Sequence, residues 1–408
     1  MGCLLSKLYD KGLRKRVLKR SQKYRLNDEE VETKTLSPSS ATVPNYSSSS
    51  TARATSGSTA APPQGEPKKE YSWDKRRKLD PKVFMCMNMA DETIVREPGK
   101  VNGEQFVVDG CKRCNIFVFD HCASVTIDDC TNCTIYIGPT ESSVFIRNCK
   151  KCYCVFLCRQ LRTRDCEDCT LRLFCATRPV IESSKAMRFA CFDTEHDEYE
   201  QLPQQLSSAH LSPFCNYWSS VYDFTPQASS SNWSFWDADN LESKSLQDEM
   251  ASAEILAQKL QNGLVSPDEE DKCTFSTLGE KPLDNHDYHY LVLFPLRLKI
   301  QERGAVSACK AFLNTLAKTN KGVKLVQVNG CKLTKDEMDE LNSNNILESG
   351  SVPLPPNSPK VVGVEIASED SVKSAVIQSI GSDLSKYNCV LVDNVDLMRA
   401  FRTKGITG

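Results

Sequence analysis

Two hydrophobic patterns divide the chain into an earlier and a later region. In the earlier region, apolar and polar positions alternate with a period of two, in short runs such as FVVDG, NIFVF, SVTIDD and TIYIG. This alternation is typical of half-buried β-strands. From residue 290 onward, apolar runs of strand length alternate with segments of helical period. The pattern therefore predicts an all-β region followed by an α+β region.

The later region contains four predicted strands and four predicted helices. The strands are YLVLFPL, VKLVQVN, KVVGVEI and NCVLVDN, and the helices are AVSACKAFLNTLAK, TKDEMDELNS, SVKSAVIQSIG and VDLMRAFR. Strands that alternate with helices in this way suggest a ferredoxin-like α+β domain. A further helix is predicted over residues 241–263, within the segment that joins the two regions.

Four Cys-x-x-Cys pairs recur in the all-β region at nearly constant spacing. The pairs are Cys111/Cys114, Cys130/Cys133, Cys149/Cys152 and Cys166/Cys169, and their spacings are 19, 19 and 17 residues. A parallel β-helix with coils of about 18 residues would stack these cysteines as small buried side chains. Zinc binding is the alternative, since Cys-x-x-Cys pairs at this separation also fit sites of four thiolates. The strand pattern on both sides of each pair favours the β-helix.

Composition and charge limit the classes of protein. The chain has 408 residues, a formal net charge of −2 and 20 cysteines, of which thirteen lie between residues 111 and 191. The first 26 residues show no secretory signal, so we expect reduced thiols. Because the strand pattern favours the β-helix over zinc binding, we expect no metal site. A net charge near zero argues against nucleic-acid binding, which usually requires a strongly basic surface.

Residues 1–26 predict a lipidated, basic membrane anchor. The start MGCLLS fits N-myristoylation of Gly2, and the adjacent Cys3 is available for S-palmitoylation. A single acyl chain binds membranes only marginally, but nine Lys or Arg against one Asp would add attraction to an anionic leaflet. The alternative is a chance glycine ahead of a solvated basic tail. Residues 27–70 are rich in Ser, Thr and Pro, which predicts a disordered tether.

Several longer stretches resemble the tubulin cofactor C family. They are YSWD (71–74), CKRCNIFVFDH (111–121), SVTIDDCTNC (124–133), QLRTRDC (160–166), CATRPVIESS (175–184) and YDFTP (222–226). The resemblance implies a right-handed parallel β-helix in a cofactor C-like domain over residues 71–236. It also implies a nucleoside diphosphate kinase-like domain of ferredoxin fold over residues 286–408, after a helix and linker over residues 237–285.

The resemblance further implies that this chain is a GTPase-activating protein for small Arf-like GTPases in their GTP form. The family's Gln-x-Arg motif is Gln160, Leu161 and Arg162 here, with Arg162 as the catalytic arginine finger. The family has a functional Glu at the position of Glu182 and a contact residue at that of Phe224. The protein would need no cofactor of its own, since GTP and Mg²⁺ belong to the partner.

The strand pattern gives an independent argument for the same residues. Gln160, Arg162 and Arg164 share one phase of a strand and should point outward, while the residues between them point inward. Glu182 follows Arg162 by about one coil, so we expect it to lie beside Arg162 and to orient the guanidinium. Arg164 would bind the partner. The alternative is an ordinary ladder of surface ion pairs.

The later region lacks the histidine that nucleoside diphosphate kinase chemistry needs. That nucleophile would stand near the last strand, where the chain reads NCVLVDNVDLMRAF, while His286 and His289 lie at the first strand. We therefore expect no kinase activity and a docking or regulatory role, which disfavours a nucleotide-handling enzyme.

The family resemblance also suggests a cellular role. It implies control of the release or trafficking of lipidated cargo at the cytoplasmic face of the plasma membrane, at the ciliary base or in the cilium. The alternative function is a non-catalytic, membrane-anchored adaptor or tubulin-assembly factor, with tubulin as the partner. An intact Gln160 and Arg162 motif favours catalysis.

Overall fold

The computed structural model describes most of the chain from residue 80 onward. The described residues are 80–192, 198–228, 230–236, 272–280, 288–296, 301–320, 322–336, 338–339, 360–392, 398 and 401. The predicted anchor and tether, the YSWD stretch and the helix predicted over 241–263 lie outside them. The described residues from Lys82 onward belong to one compact unit.

The all-β region forms a parallel β-helix of about six turns, which confirms the β-helix prediction. Its strands are β1 (Met85–Met87), β2 (Thr93–Arg96), β3 (Phe106–Asp109), β4 (Asn115–Val118), β5 (Val125–Asp128), β6 (Thr134–Arg147), β7 (Tyr153–Arg164), β8 (Thr170–Cys175), β9 (Val180–Glu182), β10 (Met187–Cys191), β11 (Tyr222–Asp223) and β12 (Trp233–Phe235).

Two parallel faces of the β-helix share the long strands β6 and β7. One face has the order β1-β3-β5-β6-β7-β9-β11, and the other has the order β2-β4-β6-β7-β8-β10-β12. The first half of β6 and β7 lies on the second face and the last residues lie on the first. The first face carries the predicted site.

The cysteine pairs lie at the corners where successive coils turn. The residue before each cysteine has a positive φ, between 52° and 68°. These residues are Gly110, Arg113, Asp129, Asn132, Asn148, Lys151, Asp165 and Asp168. The left-handed conformation turns the chain and aims each cysteine inward, where its side chain is 0–3% exposed. Asp and Asn tolerate this conformation better than most residues, so only one corner needs a glycine.

Each paired cysteine has the same local partner. Its thiol contacts the carbonyl oxygen two residues earlier at 3.3–3.7 Å, which is a weak hydrogen bond. The pKa of the Cys149 thiol is raised by the neighbouring thiols of Cys130, Cys152 and Cys166 and by burial. Cys149 is therefore a protonated core side chain at neutral pH. Within the described ranges, no group of His, Cys, Asp and Glu side chains could hold a metal ion.

One helix packs on the second face of the β-helix. Helix α1 (Leu202–Ser208) buries Leu202 and Leu206 among the rings of Phe119, Tyr136 and Tyr199. The Gln205 side-chain amide donates a hydrogen bond of 2.9 Å to the carbonyl oxygen of Phe119. The helix thus covers an aromatic surface that would otherwise be exposed, and it leaves the first face open.

The later region forms a four-stranded antiparallel sheet with helices. In chain order its elements are β13 (Tyr288–Pro295), α2 (Gln301–Thr319), β14 (Lys324–Lys332), β15 (Lys360–Ser368), α3 (Lys373–Asp383) and β16 (Val390–Val392). The strand order is β14-β15-β13-β16. The four predicted strands and the helices corresponding to α2 and α3 are present, while most of the other two predicted helices lies outside the described residues. The relation to ferredoxin-like kinases stays a prediction.

Short segments connect the sheet to the β-helix. The backbone N–H groups of Leu278 and Gly279 donate to Leu325 and Val326 at 3.0 and 2.8 Å. Gly279 has a φ of +65°, and a side chain there would meet Ser219. The described helices include none that is long and apolar enough to cross a membrane.

Candidate functional site

The last part of β7 presents the predicted motif on the first face of the β-helix. Leu161 and Thr163 are 0% and 2% exposed, so they point into the core. Arg162 is exposed, and Gln160 and Arg164 are half-buried. The predicted alternation is confirmed, because residues of opposite phase in a strand lie on opposite sides of the sheet.

Strand register defines the neighbours of each motif residue. Arg162 pairs with Phe145 of β6 on one side and with Val180 of β9 on the other. Its two nearest neighbours in adjacent strands are therefore apolar. Within the described part of the chain, the Arg162 side chain makes no ion pair or hydrogen bond. The guanidinium is thus exposed and available to a ligand from outside.

The structure corrects the predicted position of Glu182. Glu182 pairs in register with Arg164, and Val180 occupies the position beside Arg162. The spacing argument was wrong by two residues, because the coil that follows Arg162 is 18 residues long and not 20. Glu182 is exposed on the same face, but in this structure it does not orient Arg162 through paired hydrogen bonds.

Two other arginines of this face have carboxylate partners. Arg147 binds Asp128 with two contacts of 2.7 Å, and Arg164 lies 3.4 Å from Asp165. Arg162 stands apart from these pairs, which weakens the alternative that it belongs to an ordinary ion ladder. An arginine without a competing carboxylate keeps its planar donor fork for a phosphate or another acceptor.

A serine on the adjacent coil contacts the motif glutamine. The Ser143 hydroxyl donates a hydrogen bond of 3.1 Å to Oε1 of Gln160, and the two residues pair in register. Ser143 is buried, so the hydrogen bond is protected from solvent. With Oε1 occupied, the side-chain amide group of Gln160 is the group left to donate toward the surface.

Phe224 lies at the end of the same face. Its side chain is 62% exposed, so it does not close the end of the core. Its backbone N–H donates to Ile181 at 2.9 Å, and the Thr225 hydroxyl accepts a hydrogen bond from the N–H of Ser183. These contacts hold the YDFTP segment against the last described coil of this face and place the ring in position for a contact.

Sequence reasoning missed two aromatic residues of this face. Phe145 is 36% exposed and Tyr222 is 44% exposed. Phe145 points outward in the run SVFIR, between the buried residues Val144 and Ile146. An aromatic residue at an outward position of a strand was the sequence feature that could have identified it. Its significance depends on the register, which places it directly beside Arg162.

The remaining predicted residues lie elsewhere. Gly2, Cys3 and His286 are outside the described residues. His289 is on β13, and its Nδ1 atom lies 3.7 Å from a carboxylate oxygen of Glu365 in β15. His289 therefore lies on the first strand of the later region in chain order, as the sequence predicted.

Comparison with known proteins identifies the β-helical segment. Residues 103–224 match the family model for tubulin binding cofactor C. The segment resembles Protein XRP2 of Danio rerio, with 56% identity over 174 residues, and Protein XRP2 of Homo sapiens, with 55% identity over 171 residues. These matches cover 43% and 42% of this chain, and 46% and 48% of those proteins. The chain thus spans about half the length of the curated relatives it matches.

A solved structure is also similar. Tubulin Binding Cofactor C from Leishmania major is 17% identical, the match covers 36% of this chain and 89% of that one, and the TM-score is 0.25. A similarity this small supports no argument about function. The family resemblance inferred from the sequence motifs is confirmed by the family model and the curated relatives.

Proposed function

Because this chain carries a domain of the tubulin cofactor C family, we propose that it is a GTPase-activating protein for small Arf-like GTPases. One observation carries the proposal. Arg162 is exposed on a rigid parallel sheet, between two apolar neighbours and without a carboxylate partner among the described residues. An arginine held in this way can enter the nucleotide site of a docked GTPase.

The chemistry of GTP hydrolysis explains what such an arginine contributes. As the γ-phosphate separates from the leaving group, negative charge spreads over its oxygens and the bridging oxygen. A guanidinium inserted from outside stabilises that charge and accelerates hydrolysis by roughly 10³–10⁵. Its planar fork can contact two oxygens at once, which a lysine ammonium cannot. The partner supplies GTP, Mg²⁺ and the residue that orients water.

The neighbouring residues have separate roles in this proposal. Gln160, fixed by Ser143, donates hydrogen bonds to the docked GTPase. Arg164 and Glu182 form an adjacent pair in register, which binds partner groups beside the nucleotide. Phe224 adds an exposed ring to the contact.

Substitution of Arg162 tests the proposal. In single-turnover GTP hydrolysis by a panel of Arf-like GTPases, Arg162→Ala is expected to lose roughly 10³-fold or more of the acceleration, and Arg162→Lys should not restore it. Arg113→Ala is the matched control, since Arg113 is an exposed arginine that pairs with Asp91 at another coil. Wild-type acceleration by Arg162→Ala would refute the finger.

The anchor and the later domain complete the proposed role. N-myristoylation of Gly2 and S-palmitoylation of Cys3, with the basic segment, would place the protein at the cytoplasmic face of the plasma membrane, at the ciliary base or in the cilium. There it would control the release of lipidated cargo by a GTPase. The later domain, as a nucleoside diphosphate kinase-like ferredoxin fold without the catalytic histidine, would serve in docking.

A second candidate follows from the description of the matched family. That family is described as tubulin binding, so a non-catalytic adaptor or tubulin-assembly factor is the alternative. Sedimentation of the purified protein with tubulin, compared between wild type and Arg162→Ala, separates the two functions. Tubulin binding without any effect on GTP hydrolysis would favour the adaptor.

A further inference from the structure

Exposed aromatic residues concentrate on the face that carries Arg162. Among the described residues, four large hydrophobic side chains are exposed: Phe145, Tyr222, Phe224 and Tyr288. Three of the four lie on the first face of the β-helix, and Tyr288 lies on the sheet of the later region. Clustering of this kind marks an interaction surface, whereas scattered exposed residues need no explanation.

The register arranges part of this cluster in one row with Arg162. Phe145, Arg162, Val180 and Tyr222 occupy equivalent positions on the adjacent strands β6, β7, β9 and β11. Neighbouring strands are about 4.8 Å apart, so the arginine is one strand from Phe145 and two strands from Tyr222. We call Phe145, Val180 and Tyr222 the apolar row.

The Tyr222 end of the apolar row is packed before any partner binds. Tyr222 packs edge-to-face on Phe224, with ring centroids 4.9 Å apart, and the Arg178 guanidinium lies 5.4 Å from the centroid of the Tyr222 ring. Arg178 is itself held by a hydrogen bond of 3.1 Å to the carbonyl oxygen of Ser220. Because these side chains are already ordered, a partner that covers them loses little conformational entropy.

The charge around the apolar row is suited to a phosphate-bearing partner. Arg162 lies between Phe145 and Val180, and Arg178 lies against the Tyr222 ring. Glu182 is two register positions away from Val180. Apolar contacts that exclude water around a central charged residue strengthen its electrostatic interactions. Apolar contacts on both sides of Arg162 would therefore strengthen the attraction between its guanidinium and a bound phosphate.

We propose that the apolar row is the docking surface for the GTP-bound GTPase, which covers the row with an apolar patch next to its nucleotide. This inference rests on the proposed function and assigns separate tasks within the site. Phe145 and Tyr222 determine how tightly the GTPase binds, and Arg162 determines how fast the bound GTP is hydrolysed. The row thus excludes water while the arginine acts.

The test separates affinity from rate. Single-turnover hydrolysis is measured with the GTP-loaded Arf-like GTPase that wild type accelerates most, at increasing concentrations of activator. Phe145→Ala and Tyr222→Ala should raise the half-saturating concentration roughly tenfold or more, with an unchanged rate at saturation. Phe145→Leu and Tyr222→Phe should recover most of the affinity. Tyr288→Ala is the matched control, an exposed aromatic outside the row, and should change neither quantity.

Four results bear on the inference, provided that thermal melting shows the variants folded. A half-saturating concentration unchanged in both alanine variants would overturn the apolar row while the proposed function stands. A lower rate at saturation with unchanged half-saturation would also overturn it. If wild type accelerates no GTPase, binding to GTPases loaded with a non-hydrolysable GTP analogue is measured. Binding that both alanine variants weaken would then support the row although the finger has failed, and binding that they leave unchanged would overturn it.

Discussion

At the scale of single residues, the corner positions explain how cysteines came to fill the core. A residue with positive φ precedes each paired cysteine and turns its side chain inward. Ser184 and Met187 follow the same rule one coil later, after Ser183 and Ala186 with φ values of 47° and 51°. The corner geometry is therefore a property of the coil, and cysteine is one of several small or apolar residues that fit inside.

Lys151 offers a test of the corner conformation. Its φ is 52° and its side chain is exposed, so a substitution acts mainly through the backbone. Lys151→Val should lower the free energy of unfolding by about 1–2 kcal/mol, because a branched side chain is strained in the left-handed region. Lys151→Gly should leave the stability equal or higher. Chemical denaturation measures both, and equal stability of the two variants would contradict the argument.

Cys166 tests whether the thiols are packing groups. Its thiol contacts the carbonyl of Arg164 at 3.4 Å, and the Ser184 hydroxyl donates to Glu182 at 2.9 Å in the equivalent corner. Cys166→Ser should therefore cost less than about 1.5 kcal/mol, whereas Cys166→Leu overpacks the core and should cost about 1–3 kcal/mol. A metal chelator should not change the melting temperature. Stoichiometric zinc in the purified protein would contradict the interpretation of the thiols as packing groups.

At the scale of secondary-structure elements, neighbouring coils are also joined by charged side chains. The Glu167 carboxylate contacts the Lys150 ammonium at 3.0 Å and that of Lys185 at 2.9 Å, one coil away on each side. The hydrogen bonds from Lys185 and Lys150 lower the pKa of Glu167 to about 2. A single acidic residue thus links three consecutive coils at one corner.

Glu167 predicts a specific pH dependence of stability. Its pKa is about 2 in the folded protein against 4.5 for the ordinary group, so its contribution is present above pH 4.5 and is lost as the pH falls toward 2. Glu167→Gln should flatten the decline of unfolding free energy across this interval, and added salt should weaken the wild-type effect. Glu104→Gln, at an acidic residue with no ion pair in the described part of the chain, is the control. An unchanged pH profile for Glu167→Gln would argue against the ladder.

The strands themselves were largely predictable, but their registers were not. The alternation in QLRTRD placed Gln160, Arg162 and Arg164 outward without any knowledge of the fold. The partner of each residue on the next coil depends on how many residues the corner consumes, and that number varies from coil to coil. A constant repeat length therefore does not predict that Glu182 lies beside Arg164 or that Phe145 lies beside Arg162.

At the scale of the whole molecule, the proposed function joins a membrane anchor to an activating surface. The predicted anchor and tether lie outside the described residues, so both stay predictions. The four-stranded sheet is connected to the β-helix through the backbone pairing of Leu278 and Gly279 with β14. The segment that contains Leu278 and Gly279 therefore links the later domain to the β-helix.

Gly2→Ala tests the anchor. It removes the site of N-myristoylation. Wild type that is co-expressed with an N-myristoyltransferase should bind anionic vesicles, whereas Gly2→Ala should stay in the supernatant. Cys3→Ser should weaken membrane attachment in cells and leave myristoylation intact. Activation of a soluble GTPase should be unchanged in both variants, because the activating surface is far along the chain. Equal vesicle binding by wild type and Gly2→Ala would contradict the lipid anchor.

The sequence by itself determined the β-helix, its approximate coil length, the inward cysteines and the outward phase of the Gln160–Arg162 motif, because local alternation and a regular repeat depend only on neighbouring residues. The tertiary structure decided which side chains meet across coils. It placed Glu182 beside Arg164 and not Arg162, set the arginine between apolar neighbours and assembled the apolar row from β6, β9 and β11. Those contacts join residues separated by one or more coils, so they are set by the corners and the register rather than by any local pattern.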